Sequence, residues 1–290
     1  MVAKVGDVSR GVNAAQAQRW NGESGQHWIA HRERHQASHK YLIRHLFSAA
    51  RISPGEHVLD VGCGCGVTTL AAARAADGYG LHLTGNAVGL DLSGPMLDVA
   101  QRLAAQANVA NVRFVQGDAQ ACPLHRHSCD VIISSFGVMF FDRPAVAFAN
   151  MASVLRPRGR LAFLCWQHDM HNEVFAIPLR AFAAYTQLPG PAVGDLFFDP
   201  KQVKELLSRT GWERIQVEAI SEPAWMGSDV ADVMGYVRGT PIIRTLAGTL
   251  GDGVLTERVM DTIAEQYAAR QRPDGVWVRA AAWLVTGLRS

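Results

Sequence analysis

The segment Val58-Leu59-Asp60-Val61-Gly62-Cys63-Gly64-Cys65-Gly66 places three glycines at alternate positions behind an aliphatic run. A strand that empties into a glycine loop and then a helix lets a ligand lie against bare backbone at a helix N-terminus. A dinucleotide fingerprint needs Gly-x-Gly-x-x-Gly. Here the third glycine comes one residue early and Val67 stands in its place, which weakens a nicotinamide reading. Asp60, just ahead of the loop, suits a ligand ammonium group and would repel a pyrophosphate. Asp91 closes a second run, Val88-Gly89-Leu90-Asp91-Leu92-Ser93, where a carboxylate can accept hydrogen bonds from both hydroxyls of a ribose. In Gln116-Gly117-Asp118-Ala119, at the end of a third run, an acid and the backbone beside it can read an adenine edge. Any one of these could be a surface turn or a helix cap. Three in order, each at the C-terminal end of a predicted strand, mark the edge at which open α/β sheets bind ligands.

Two further groups could carry chemistry. The stretch Cys165-Trp166-Gln167-His168-Asp169-Met170-His171-Asn172-Glu173 follows the fifth predicted strand, so His168, His171 and Glu173 are the candidate proton acceptors, against the plainer reading of a solvated loop. A histidine would serve near neutral pH as it stands, whereas Glu173 would need burial to raise its pKa. His27, His31, His35 and His39 recur every fourth residue. On a helix they form a slowly turning stripe, and a pair at i, i+4 can hold zinc. No His-Glu-x-x-His order accompanies them and Arg32 and Arg34 oppose a cation, so no metal is expected and a polar helix face is the simpler reading. Cys63 and Cys65 have no second pair at zinc-finger spacing. The five cysteines, odd in number and set in apolar segments, read as reduced thiols.

Holding these groups requires a series of strands and helices. Strands are expected at 57–61, 87–92, 112–116, 130–134 and 161–166, with helices at 68–76, 95–108 and 144–155 between them. Such alternation builds a doubly wound, mostly parallel sheet covered by helices. The turn Arg156-Pro157-Arg158-Gly159 is expected to stop the last of these helices. Beyond Trp166, Asp199-Pro200 opens a helix over 199–210, Gly211 ends it, and 213–221 and 276–288 read as strands. Residues 228–271 read as helical, with Ser228 as cap and Pro241 restarting a second helix; an insert between the last two strands is where a lid can lie.

With that framework the chain resembles the class I S-adenosylmethionine-dependent methyltransferases, close to the ubiquinone/menaquinone C-methyltransferase-like group of small-molecule enzymes. The matching blocks are LDVGCGCG at 59–66, GLDLSGPML at 89–97, VRFVQGDAQ at 112–120, SSFGVMFF at 134–141 and LRPRGRLAFLCW at 155–166. Weaker matches are Trp20-Asn21-Gly22 and Trp28 upstream and AAWLVTGL at 281–288. The resemblance implies a Rossmann-like sheet of seven strands with N-terminal helices. It places the methionine part of the donor on Gly62 and Gly64, the ribose on Asp91, and the adenine on Asp118 and Ala119, with Met96 packed on it and Ser135 near the sulfonium. It also implies that the N-terminal helix closes over the donor, putting Trp20, Trp28 and one of His31 or His35 around the substrate. The link 77–87 is longer than the family's usual connection.

A chain of 290 residues suits one large core with an appended cap: a helical cap at 1–50, and a methyltransferase domain at 51–290 with a lid insert at about 228–271. Hydrophobic residues at 48% and charged ones at 19% are a globular balance. With 28 basic against 26 acidic residues the net charge is +2, too weak a field to hold a phosphate backbone or an anionic membrane. Ser134-Ser135-Phe136-Gly137 also stands where nucleic-acid methyltransferases carry an Asn/Asp-Pro-Pro-aromatic motif. The expected activity is therefore methyl transfer to a small, apolar metabolite on carbon, oxygen or nitrogen. A base is required only if the acceptor carries a proton. A nicotinamide-dependent dehydrogenase and a non-catalytic cofactor-binding regulator are the alternatives. With neither a signal peptide nor a membrane span in view, a cytoplasmic monomer or homodimer is expected.

Overall fold

The computed structural model describes residues 3–4, 13–78, 84–123, 125–188 and 195–290; the centre of the long link, 79–83, lies outside the described residues. The strands are β1 (Ala3–Lys4), β2 (His57–Val61), β3 (Asn86–Asp91), β4 (Val112–Gln116), β5 (Cys129–Ser135), β6 (Leu155–Trp166), β7 (Trp212–Gly227), β8 (Gln271–Arg272) and β9 (Gly275–Arg289). They form one sheet in the order β1-β4-β3-β2-β5-β6-β9-β7, with β8 paired to β9. Pairing is parallel from β1 through β6 and antiparallel at β9 and β7. The seven expected strands are all present. The two additional ones among the described residues are the two-residue pairings β1 and β8, too short to carry a periodic pattern.

Helices α4 (Val67–Ala76), α5 (Gly94–Gln106) and α6 (Pro144–Val154) connect the parallel strands. Four of the five alanines of α4, Ala72, Ala73, Ala75 and Ala76, are buried because small side chains let the helix lie close on the sheet. The 156–159 segment differs from expectation: β6 already begins at Leu155. Its register on β5 jumps from Cys129–Leu155 to Val131–Arg160, so Arg156–Gly159 form a bulge inside the strand. Pro157 does end the helix, but Arg156 donates to both carboxylate oxygens of Asp130 at 2.8 Å and holds the chain in the ladder.

α7 (Glu173–Ala183) and α8 (Pro200–Ser208) follow β6, and Asp199 caps α8 through the Lys201 N–H as expected. Between β7 and β8 lie α9 (Val230–Gly239), α10 (Pro241–Leu250) and α11 (Gly253–Ala268), three helices where two were expected. Gly251, at φ 65°, stops α10, and Asp252 caps α11. Asp229, rather than Ser228, caps α9, accepting from the Asp232 N–H at 2.8 Å.

Before the sheet come α1 (Ala14–Asn21), α2 (Glu23–Ala30) and α3 (Arg32–Ala50); α3 runs from the C-terminal strand ends, where His39 meets Trp166, to the opposite edge, where Ala50 O accepts from Arg160 of β6. Leu42, Leu46 and Ala50 sink α3 into the main core. Asn21 bonds Leu92 O and Gly94 N–H, and Ser93 Oγ donates to Trp20 O at 2.8 Å, which ties α1 to the loop after β3.

Candidate active site

Gly62, Gly64 and Gly66 have φ of 69°, 53° and 81°, so the loop turns through left-handed backbone that side-chain-bearing residues avoid. At Gly62 a Cβ would lie 2.6 Å from Gly137 Cα; the missing side chain brings the loop after β5 against the loop after β2. At Gly64 it would face space bordered by Met96 Sδ at 3.7 Å and Trp28 Nε1 at 3.9 Å. Asp91 steers this loop: its Oδ2 accepts the Gly64 N–H at 2.7 Å and its Oδ1 the Ser93 N–H at 2.8 Å. Burial raises its pKa against those hydrogen bonds, and each oxygen keeps a lone pair for a hydroxyl donor.

Asp60 is fully buried at the end of β2. Its Oδ2 accepts from Thr68 Oγ1 and Thr69 Oγ1, both at 2.7 Å, while Oδ1 has no partner. Burial pushes this carboxyl up to about 6, in spite of the two hydroxyls. An orphaned carboxylate oxygen under a glycine loop is a feature that an ammonium group would satisfy. The chemistry of these residues thus fits the amino, ribose and methionine portions of S-adenosylmethionine.

Asp118 is buried after β4, but its oxygens face the Gln120 side-chain amide at 3.2 Å, and Gln120 Oε1 accepts the Arg143 N–H at 2.5 Å. Ala119 O accepts from Asn150 Nδ2 at 2.8 Å. Gln120 and Asn150, which motif reading passed over, therefore hold the adenine candidates in place. Met96 is buried with Cys65, Val99, Trp20 and Trp28. Ser135 is the half-buried last residue of β5, paired with Leu164.

The histidine stripe is not a solvated helix face. His35 stacks flat on Trp28 at a centroid distance of 3.8 Å, and His27, His31 and His35 surround Tyr236 of α9 at 5.5, 5.0 and 6.0 Å. His39 lies 5.1 Å from Phe136 and 5.4 Å from Trp166, themselves stacked at 3.8 Å. Burial drives His35 down to about 2 and His39 to about 4, so both are neutral imidazoles at pH 7. It raises Tyr236 to about 12. Arg34 reaches Asp232 and Met226 O and lies 4.9 Å from the Tyr236 ring, binding α9 to α3. His39, Phe136, Trp166 and Tyr236 were missed as site residues. Only the four-residue histidine period, read as an interior rather than an outer face, could have shown one of them.

The loop after β6 is built differently from expectation. His168 is exposed and its Nδ1 accepts the Met170 N–H at 3.2 Å, capping a short turn; His171 is exposed beside an open cleft with Met170, Arg180 and Arg279. Glu173 accepts from Arg270 Nη2 and from the Arg279 N–H, both at 2.8 Å. These bonds outweigh its partial burial and lower its pKa, the reverse of what a carboxylate base there would need. Among the described residues none of the three bonds to the glycine loop, Asp91 or the histidine stripe.

Residues 58–159 match the family model described as a methyltransferase domain. The demethylmenaquinone methyltransferase of Staphylococcus haemolyticus is 28% identical over 175 residues, 60% of this chain and 69% of the relative. That of Staphylococcus aureus strain Newman is 28% identical over 172 residues, 59% and 67% of the two chains. Among solved structures, the YcgJ protein of Bacillus subtilis superposes with a TM-score of 0.56 at 18% identity, covering 87% of this chain and 99% of its own. A Bacillus halodurans C-125 protein gives 0.53 at 14%, covering 85% and 97%. These two likenesses establish the shared Rossmann-like fold.

Proposed function

Because this chain is a class I S-adenosylmethionine-dependent methyltransferase, we propose that it methylates a small, flat, apolar metabolite held between the β5 and β6 ends and helices α2, α3 and α9. The observation that carries this reading is the wall of uncharged rings formed by Trp28, His35, His39, Phe136, Trp166 and Tyr236 beside the glycine loop. Aromatic faces favour a planar apolar guest, and their packing keeps water out.

In this reading Asp60 takes the donor's ammonium group, Gly62 and Gly64 its methionine chain, Asp91 its ribose, and Asp118 with Ala119 its adenine. Met96 and Trp28 pack on it, and Ser135 stands by the reacting carbon. The donor supplies a methyl group already activated on a sulfonium, so the protein's work is alignment and exclusion of water. Residues 1–50 act as a cap and 228–271 as a lid on the domain at 51–290. His168 and His171 could serve only an acceptor entering through the open cleft beside them. The likeness to demethylmenaquinone methyltransferases supports a quinone-like acceptor, and the weak net charge supports a small molecule over nucleic acid. Among the described residues no helix is long and apolar enough to cross a membrane. A cytoplasmic monomer or homodimer, free of metal, completes the proposal.

The test is transfer of isotopic label from methyl-labelled S-adenosylmethionine into a cell extract. Label in the apolar small-molecule fraction supports the reading; label confined to nucleic acid or protein contradicts it.

A further inference from the structure

His39 differs from the rest of its stripe. The Nε2 atoms of His27 and His35 are sealed in without partners, whereas neither ring nitrogen of the equally half-buried His39 is sealed in that way. Among the described residues no hydrogen bond reaches either of its ring nitrogens. Its ring sits where three structural parts meet: Trp28 of α2 at 6.1 Å, Phe136 beyond β5 and Trp166 at the end of β6. Trp28 Nε1 lies 3.9 Å from where a Gly64 Cβ would stand, so Trp28 links the donor loop to His39 and the ring wall proposed to hold the acceptor.

Resting on the methyl-transfer reading above, we propose that His39 is the proton acceptor for a phenolic hydroxyl that this enzyme methylates. The flat walls admit an aromatic ring. Arg34, the cation nearest the lid contact, is engaged by Asp232 and Met226 O, and Arg19 lies over Trp20 and Phe140; among the described residues no Lys or Arg lies over the rings of Trp28, Phe136 or Trp166 to hold a phenol already ionised. The phenol therefore enters neutral and must shed its proton during the reaction. As the phenol oxygen forms its bond to the methyl carbon, the carbon–sulfur pair leaves with sulfur, and the hydroxyl proton passes to a His39 nitrogen. The imidazolium then returns that proton to solvent.

A ring held neutral suits this position twice. It does not repel the sulfonium, and it has a lone pair free at any pH above about 4. A weak base suffices because the oxygen becomes strongly acidic as its bond to carbon grows. Among the described residues the only titratable group in ring contact with His39 is His35 on its own helix, at 6.2 Å and also neutral; Trp28, Phe136 and Trp166 bring none.

The test compares the intact wild-type chain with His39→Gln and His39→Ala on two probes at one pH of about 8. Unsubstituted phenol is un-ionised there, and 4-nitrophenol is largely ionised. On phenol both variants should lose turnover by about a hundredfold or more, while on 4-nitrophenol the loss should shrink to less than about tenfold. A structural role would depress both probes alike, and that result overturns the proposal. So does wild-type protein that methylates neither probe. Calorimetric titration of each variant with S-adenosylmethionine runs alongside. Intact donor binding with no phenol methylation would sink the assignment of His39 and leave the methyltransferase reading standing, whereas absent donor binding by the wild type would sink both.

Discussion

At the scale of single residues, the proposed site divides into acids for the donor and neutral rings for the acceptor. Asp60 and Asp91 were legible because a carboxylate at a strand end beside glycines has few structural uses. Their partners were not, since Thr68, Thr69 and Ser93 are ordinary helix-start residues until the fold brings their donors to the acids. Asp60 should make donor affinity depend on pH. Its carboxyl titrates at about 6, and only the ionised form pairs with an ammonium group, so affinity should hold above that pH and fall as pH drops through it. Asp60→Asn should weaken binding and flatten the dependence, as calorimetry across pH 5 to 7.5 would show. Asp91→Ala should cost about 1.5 to 3 kcal/mol of donor affinity through lost charge-assisted hydrogen bonds. Unchanged affinity in a folded variant would remove Asp91 from the site. Glu173 shows the limit of sequence reading: its neighbours in the chain suggested a free base, but its partners Arg270 and Arg279 lie about a hundred residues away.

Among secondary-structure elements, those with strong periodicity were read closely, β2 and β4 to the residue. Errors fell where a local signal had two outcomes. Pro157 ended a helix as expected but did not begin a loop, because the Arg156–Asp130 pair keeps the segment in the sheet. The histidine period of α2 and α3 by itself suggests a polar outer face, and only the family resemblance turns part of it toward the substrate. The insert helix α9, docking through Tyr236, covers His27, His31 and His35, while Phe136 and Trp166 cover His39. That docking gives a prediction for the lid. Arg34 joins α3 to α9 through a partly buried pair with Asp232, and replacing it with Ala should cost about 1 to 2 kcal/mol and raise hydrogen exchange in 230–239 ahead of the sheet. Urea unfolding and exchange mass spectrometry check this; unaltered protection of α9 would mean that Arg34 does not secure it.

Across the whole molecule, the helices before and after the parallel strands meet over the C-terminal edge and bury imidazoles that take up protons less readily while packed than when free. An unfolded histidine protonates near 6.5, folded His39 only at about 4 and His35 at about 2. Between these values the unfolded chain binds more protons, so stability is full above pH 6.5 and is lost on acidification, by about 3 kcal/mol from His39 alone. Asp60 and Asp91, raised by burial, act in the opposite sense, but the two histidines are displaced further and should dominate. Tm should fall steadily from pH 7 to 4.5, and less steeply in His35→Phe; a flat profile would contradict the packed state of the stripe. The central claim is that the edge built by Asp60, Gly64 and Asp91 holds S-adenosylmethionine. Its most direct test is isothermal titration of the purified chain with S-adenosylmethionine, S-adenosylhomocysteine, NADH and NADPH. The account predicts saturable binding of the first two, weakened by Asp91→Ala, and none of the nicotinamide nucleotides. Tighter binding of NADH or NADPH would contradict it.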